Sequence, residues 1–343
     1  MKKTLAAVAI LGAFAGSAMA DVTVYGRIDT GFLYNDNGTN QTVTMENGQS
    51  TGSRWGIKGS HQLAEGVKAG FVLEARLYGD TGVEGKDGKA FERESVVYVA
   101  SNYGTVYAGR INSFWSDGGS VAMWSNYAAF GTGSNVGYGT GMMVGHGRTD
   151  NTVAYVSPSM GGVKVYAEYA AGDDKAEFKA AGNQHAGVGV EYKAGNFGLA
   201  FAAMQDNEKG SGNDDLMTIN LGATYDFGCA KVFLAGQYYE GADNVGKFKE
   251  VGVKDLEDLE GYAVNFGAEV PMAGGKWTVG GTYAAGENQK TGAEYDGYNV
   301  AAQYVYPFSK QVQAYAGVGY TKLESEGTEF EAKLAMAGMV VRF

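Results

Sequence analysis

The chain has 343 residues, with 55 glycines, 23 tyrosines and only 3 prolines, and a formal net charge of −11. That mix suits many strands and tight turns and does not suit helices or disorder, while the acidic balance argues against nucleic acid and anionic membrane surfaces as partners. The single cysteine, Cys229, excludes an internal disulfide, so stability must come from backbone pairing.

Met1 to Ala20 carries Lys2 and Lys3, an apolar run from Leu5 to Phe14, and Ala18-Met19-Ala20 before Asp21. This is the pattern of a secretory signal peptide cut after Ala20, and its apolar run is too short for a membrane anchor. Residues 21–343 form the second unit. They contain no apolar run long enough for a transmembrane helix. A membrane β-barrel stays open, because its strands alternate apolar and polar residues and hydropathy averages hide them.

The alternation is explicit. Met217, Ile219, Leu221, Ala223 and Tyr225 share one face, and Thr218, Asn220, Gly222 and Thr224 the other. Gln311 to Tyr320, Val163 to Tyr169 and Tyr298 to Tyr306 repeat the period of two. Strands are expected near 22–34, 52–62, 67–78, 92–101, 105–111, 148–157, 162–171, 184–194, 196–206, 215–227, 229–240, 261–270, 275–285, 296–307, 311–322 and 330–343. A soluble lectin-like sandwich would bury the apolar faces, and a membrane barrel would invert them. Two features favour inversion. Aromatics (Phe32, Trp55, Tyr155, Tyr225, Tyr306, Tyr320) stand near strand ends, where a girdle meets the lipid boundary. Short connections such as 102–105, 158–162, 227–229 and 307–310 also alternate with long acidic ones at 35–51, 79–92, 172–183, 241–260 and 286–295. The expected fold is therefore all-β, a sixteen-stranded antiparallel transmembrane β-barrel, whose even strand number closes the sheet around an open aqueous lumen.

One stretch, 111–147, breaks the pattern. It is rich in glycine, holds Trp115 and Trp124, carries the acid Asp117, and has no Lys or Arg. A loop this long usually signals function. Its middle, 120–130, has the residues for a short helix, so the stretch is expected to be a folded insert, and the lumen gives it a cavity.

Several segments resemble the trimeric general porins of Gram-negative outer membranes: Val24-Tyr25-Gly26-Arg27-Ile28-Asp29, Ser53-Arg54-Trp55-Gly56-Ile57-Lys58-Gly59, Gly104-Thr105-Val106-Tyr107-Ala108-Gly109-Arg110, Thr224-Tyr225-Asp226-Phe227-Gly228 and Val340-Val341-Arg342-Phe343. The resemblance covers the whole chain. It implies a homotrimer in the outer membrane that passes inorganic ions and small hydrophilic solutes passively, and that uses no cofactor. It also implies that 111–147 is the inward-folded constriction loop, and that the terminal Phe343, with Val341 and Met339 on its face, is the signal read by the barrel-assembly machinery. The acidic external loops are either solvated or bridged through divalent cations to lipopolysaccharide or a neighbouring subunit.

Charge at the constriction sets selectivity in such a pore. Of seven arginines, Arg27, Arg54, Arg76, Arg93 and Arg110 fall in the first five strands and Arg148 opens the sixth. Alternation turns Arg54 and Lys58 away from Trp55 and Ile57, Arg76 and Glu74 away from Leu73 and Leu77, and Arg148 and Asp150 away from Val153 and Tyr155. These seven cations (Arg27, Arg54, Lys58, Arg76, Arg93, Arg110 and Arg148) are expected to form a basic pore wall, with Arg54, Arg93 and Arg148 at motif positions similar to those of the family's wall. The family carries several carboxylates on the constriction loop, and here only Asp117 stands there. Glu74 and Asp150 complete the acidic side, so a net positive eyelet and a modest anion preference are expected.

Enzyme chemistry has no carrier. His61, His146 and His185 lie in no triad or metal-ligand spacing and are taken as incidental. The Gly-rich 131–147 lacks the strand–turn–helix context of a phosphate loop. Trp115, Trp124, Tyr127, Phe130 and Tyr138 are expected either to glue the insert to the wall or to form an aromatic track for one preferred solute.

Overall fold

The computed structural model describes residues 22–343, apart from 84, 86, 87, 117, 132–133, 138–141, 172–183, 208–214, 244 and 246–256. The expected leader and the acids Asp117, Asp173, Asp174 and Asp255 lie outside the described residues. The strands are β1 (Thr23–Asp36), β2 (Gln41–Asn47), β3 (Arg54–Ala64), β4 (Val67–Arg76), β5 (Glu94–Ser101), β6 (Gly104–Asn112), β7 (Arg148–Val156), β8 (Val163–Ala171) and β9 (Gln184–Ala194). They continue with β10 (Phe197–Asn207), β11 (Leu216–Asp226), β12 (Lys231–Ala242), β13 (Leu259–Met272), β14 (Gly275–Asn288), β15 (Glu294–Pro307), β16 (Val312–Ser325) and β17 (Thr328–Arg342). Each pairs antiparallel with its neighbour, and β17 returns to β1 from Arg27↔Arg342 to Asp36↔Lys333. Gly26 and Phe343 exchange backbone hydrogen bonds of 3.0 and 3.1 Å at the seam. Closure of β17 onto β1 removes the sheet edge that would leave backbone groups unpaired in lipid, and among the described strands only β2 pairs on one side.

Seventeen strands fill sixteen barrel positions, because β2 and β3 share one. β1 pairs with β3 over Thr23–Arg27 and with β2 over Thr30–Asp36. Between the two pieces, 48–53 turns inward and is held by Asp29, which accepts from the amides of Ser50 (2.8 Å) and Thr51 (2.7 Å). The expected long loop 35–51 is thus largely strand. The expected loop 286–295 likewise shrinks to 289–293 between β14 and β15. Both stretches are rich in polar residues, which hides the alternation there.

The faces are inverted. Leu221, Leu234 and Phe266 are 56, 58 and 57% exposed on the outside, whereas Asn220 and Asn265, next to Leu221 and Phe266 in the chain, are 0 and 1% exposed. The inward groups pair across strands: Gln237 donates to Asn220 (2.7 Å), Asn265 to Thr282 (2.8 Å) and Asn299 to Thr321 (2.9 Å). Aromatic pairs such as Tyr225 with Phe227 (4.6 Å) and Tyr306 with Phe308 (5.1 Å) mark the lipid boundary beside the short turns.

The apolar core lies inside the barrel, between the insert and the wall. Ile111, Phe114, Trp115, Met123, Trp124, Tyr127 and Met142 of the insert are buried against Ala200, Ala202, Ala235, Ala263 and Ala284 of β10 and β12–β14. Val136 packs with Tyr315, Leu334, Met336 and Val340 across the lumen. A single 3-10 turn, Trp124–Tyr127, stands where a short helix is expected. Wall glycines make the docking possible. A β-carbon at Gly187 would lie 2.8 Å from Phe114 Cζ, and one at Gly222 would lie 2.9 Å from Tyr127 Cβ.

Two expectations follow. Leu221→Arg places a charge on the lipid face and costs about 2–4 kcal/mol at the bilayer midplane, read by urea titration of refolding into vesicles, whereas a change within about 0.5 kcal/mol would be that of an ordinary wet surface. Gly187→Val overpacks the docking face at a cost of about 1–3 kcal/mol. It lifts the insert, and single-channel conductance should change with unaltered strand content by circular dichroism.

Candidate functional site

The arginines meet on one sector of the inner wall. On β3, Arg54 Nε donates to Gly52 O (2.9 Å), and its guanidinium lies 3.7 Å from Glu74 Oε1 on β4. Arg93, just before β5, donates to the same Glu74 oxygen at 2.6 Å. Arg76 at the end of β4 pairs with Glu92 at 3.2 Å, Arg148 Nε donates to Arg93 O at 3.0 Å, and Arg27 donates to Thr51 Oγ1 at 2.8 Å. Glu94 accepts from the amide (2.8 Å) and the hydroxyl (3.0 Å) of Ser120 and so ties the insert to this sector.

Two expected cations are placed differently. Lys58 keeps the inward face, but it sits four residues below Arg54, about 13 Å along the strand, with its ammonium 5.0 Å from the Tyr25 ring centroid. Arg110 does not belong to the lumen row: it is opposite exposed Ser95 and in register with outward Val106 and Ala108. Its guanidinium donates to Glu92 O (2.6 Å) and Asp150 (2.5 Å), and Lys89 also pairs with Asp150. Alternation along β6 puts Arg110 on that face, and the register with β7 shifts between Gly109, at φ +137°, and Ile111. The acidic side is not a separate wall either. Glu74 stands among the arginines and is neutralised by two of them, and Asp150 is taken by Arg110 and Lys89. Asp117 lies outside the described residues.

Sequence reasoning missed one cation. Arg342, the seventh arginine, faces Arg27 across the seam, inward between exposed Val341 and the end of the chain. Barrel closure brings the last strand to the first, which gathers Arg342 with a group that looked confined to the first third of the chain.

Trp115, Trp124 and Tyr127 of the insert act as glue, and Tyr138 lies outside the described residues. Trp115 and Trp124 stack at 5.2 Å and 14°, and they are 4 and 0% exposed, out of reach of a passing solute. Tyr127 is buried and donates to Glu191 at 3.2 Å, and burial beside that carboxylate pushes its phenol well above the usual range. Gln237 clamps Val144 from both sides, accepting from its amide at 2.6 Å and donating to its carbonyl at 2.7 Å. His146 and His185, expected to be incidental, come together at Asp206, while His61 stays exposed. Cys229 is exposed in its turn.

Residues 5–326 match the family model described as Gram-negative porin. An outer membrane porin protein of Bordetella pertussis is 32% identical, with 94% of each chain covered. Outer membrane porin protein 32 of Delftia acidovorans is 30% identical over 99% of this chain and 95% of its own. Among solved structures, an anion-selective porin from Comamonas acidovorans shares the fold with a TM-score of 0.76 at 22% identity, covering 94% of this chain and 100% of that one. OmpT of Vibrio cholerae, solved in a trimer form, gives 0.68 at 18% identity over 95% and 100%. A closed barrel with an apolar exterior, a folded insert across its lumen and this family match agree: the chain belongs to the Gram-negative porin family and resides in the outer membrane.

Proposed function

We propose that the protein is a general diffusion porin, working as a trimer, that passes inorganic ions and small hydrophilic solutes down their gradients with a modest preference for anions. The observation that carries the preference is the arginine sector beside the insert. Six guanidiniums (Arg27, Arg54, Arg76, Arg93, Arg148 and Arg342) share it with four carboxylates (Asp29, Glu74, Glu92 and Glu94). A charged lining between low-dielectric walls focuses its field on the ion path. External acids such as Asp258 and Glu260 are tied to Lys290 and to Tyr238 and Gln289, and beyond about 8 Å of physiological saline their field is screened. The Comamonas porin of the same fold is itself anion-selective, in keeping with this sign.

Trimer assembly is supported by the trimer form of the Vibrio cholerae protein. Phe343, Val341 and Met339 stand exposed together on the outward face, as a terminal signal read by the assembly machinery would. The buried Trp115–Trp124 stack favours unspecific diffusion over a track for one solute. A passive channel also needs no catalytic group.

The test is the zero-current potential of purified protein in a planar bilayer under a salt gradient. A unit charge about 10 Å from the ion path is worth about 0.4 kcal/mol in water, so Arg54→Ala and Arg148→Ala should each lower the anion-to-cation permeability ratio about two- to fourfold. Wild-type preference should weaken in molar salt as the Debye length contracts to about 3 Å. A ratio unchanged in both variants would remove the arginine sector from the account.

A further inference from the structure

The returning end of the insert meets the wall at a cluster that the conduction mechanism does not use. His146 of the insert and His185 of β9 bring their rings to 5.4 Å, tilted by 53°. Asp206 of β10 lies between them: one oxygen is 2.7 Å from His146 Nδ1 and the other is hydrogen-bonded to His185 Nδ1. The far nitrogens are also held. His185 Nε2 is 2.7 Å from Glu168 Oε1 on β8, and His146 Nε2 is 2.9 Å from Thr218 Oγ1 on β11. Each Nδ1 faces the Asp206 carboxylate at hydrogen-bond range, so a proton stands between them, and a divalent cation can take the place of those protons. Imidazoles that ligate metals are fixed in this way, the second N–H held by a carboxylate or another oxygen.

Charge points the same way. Glu168 and Asp206 find ion-pair partners only in the two imidazoles among the described residues. Glu168 is 4% exposed, and its second oxygen has no hydrogen-bond partner among those residues. The cluster thus sets two carboxylates against two imidazoles, and a divalent cation bound there neutralises the carboxylates in place of protons. One nitrogen of each imidazole and an Asp206 oxygen lie within 4.8 Å of one another, near enough for side-chain rearrangement to set them around one ion at ligand distances of about 2.0–2.2 Å.

We propose that His146, His185 and Asp206 bind a divalent transition-metal ion of the zinc class, which fastens the returning end of the insert to the barrel wall, with Glu168 and Thr218 orienting the imidazoles. Two imidazoles and one carboxylate favour zinc, copper, nickel or cobalt over magnesium and calcium. Three protein ligands leave the fourth position to water. Asp206, with its side chain 26% exposed, gives the ion its way in. Any proton on Nδ1 leaves to solvent as the metal binds. Because one ligand belongs to the insert and two to the wall, the metal binds the docked insert in preference to the undocked one and stabilises it by mass action.

Full-length protein, washed with chelator and shown to conduct, is titrated with Co²⁺ and then Zn²⁺. The expected result is one equivalent of Co²⁺ per chain, with visible ligand-field bands that Zn²⁺ displaces. Asp206→Asn abolishes the bands, Glu168→Gln weakens Zn²⁺ binding about 10–100-fold, and His61→Gln binds as wild type. Wild-type protein that conducts and takes up neither ion overturns the proposal, as does Asp206→Asn binding undiminished. Should Asp206→Asn fail to assemble, X-ray absorption at the zinc edge of wild-type protein decides: two imidazoles in the shell support the site, and an all-oxygen shell overturns it.

Discussion

An apolar insert can rest in a water-filled lumen only where the wall beneath it is apolar too, and the rest of the structure depends on that contact. The outside of the barrel is solvated by lipid, so the lumen is the one place where apolar side chains of this protein can pack against each other. Both buried apolar clusters among the described residues include insert side chains, Phe114, Trp115 and Trp124 in one and Val136 in the other. Alanines and glycines line the receiving wall, because the insert occupies the space that larger side chains would fill. Burial of a large apolar side chain contributes about 1.5–3 kcal/mol. Several such side chains offset the entropy of ordering a long glycine-rich segment.

That docking also decides where charge can act. The insert lies on β9–β14 and reaches β16 and β17, and the sector of β1 and β3–β5 with the start of β7 holds the guanidiniums. Carboxylates interleave with those cations. Glu74 bridges Arg54 and Arg93 and fixes their positions, so the sector is a structured network with a residual positive charge. Glu94 belongs to the same network and holds Ser120, which couples the charged sector to the insert.

Much of this was legible in the chain. The period-two alternation gave sixteen barrel positions with bounds close to those observed, and the one stretch without it was the insert. What was not legible arises where the chain meets itself at long range. β2 offers only Val43 and Met45 as apolar alternates among polar residues, too short a signal to stand out. Arg342 joins the arginines only through closure of the last strand onto the first, and Arg110 leaves them because it shares the outward face of Val106 and Ala108. Glu74 reads as a lone acid until Arg93, reached through the connection between β4 and β5, turns out to be its partner. His146, His185 and Asp206 come from the insert and two strands, and no local spacing announces their meeting.

The measurement that bears most directly on the docked insert is amide hydrogen exchange of the protein in lipid, followed by mass spectrometry. The amides of Met123 and Trp124 donate to Phe114 O at 3.0 and 2.9 Å, that of Asn135 to Gln49 O at 2.8 Å, and that of Val144 to Gln237 at 2.6 Å. A packed insert predicts that peptides covering 121–129 and 142–146 exchange as slowly as the strands around them. Exchange within seconds, at the rate of an open loop, would contradict it, and with it the narrowing of the lumen on which the proposed selectivity stands.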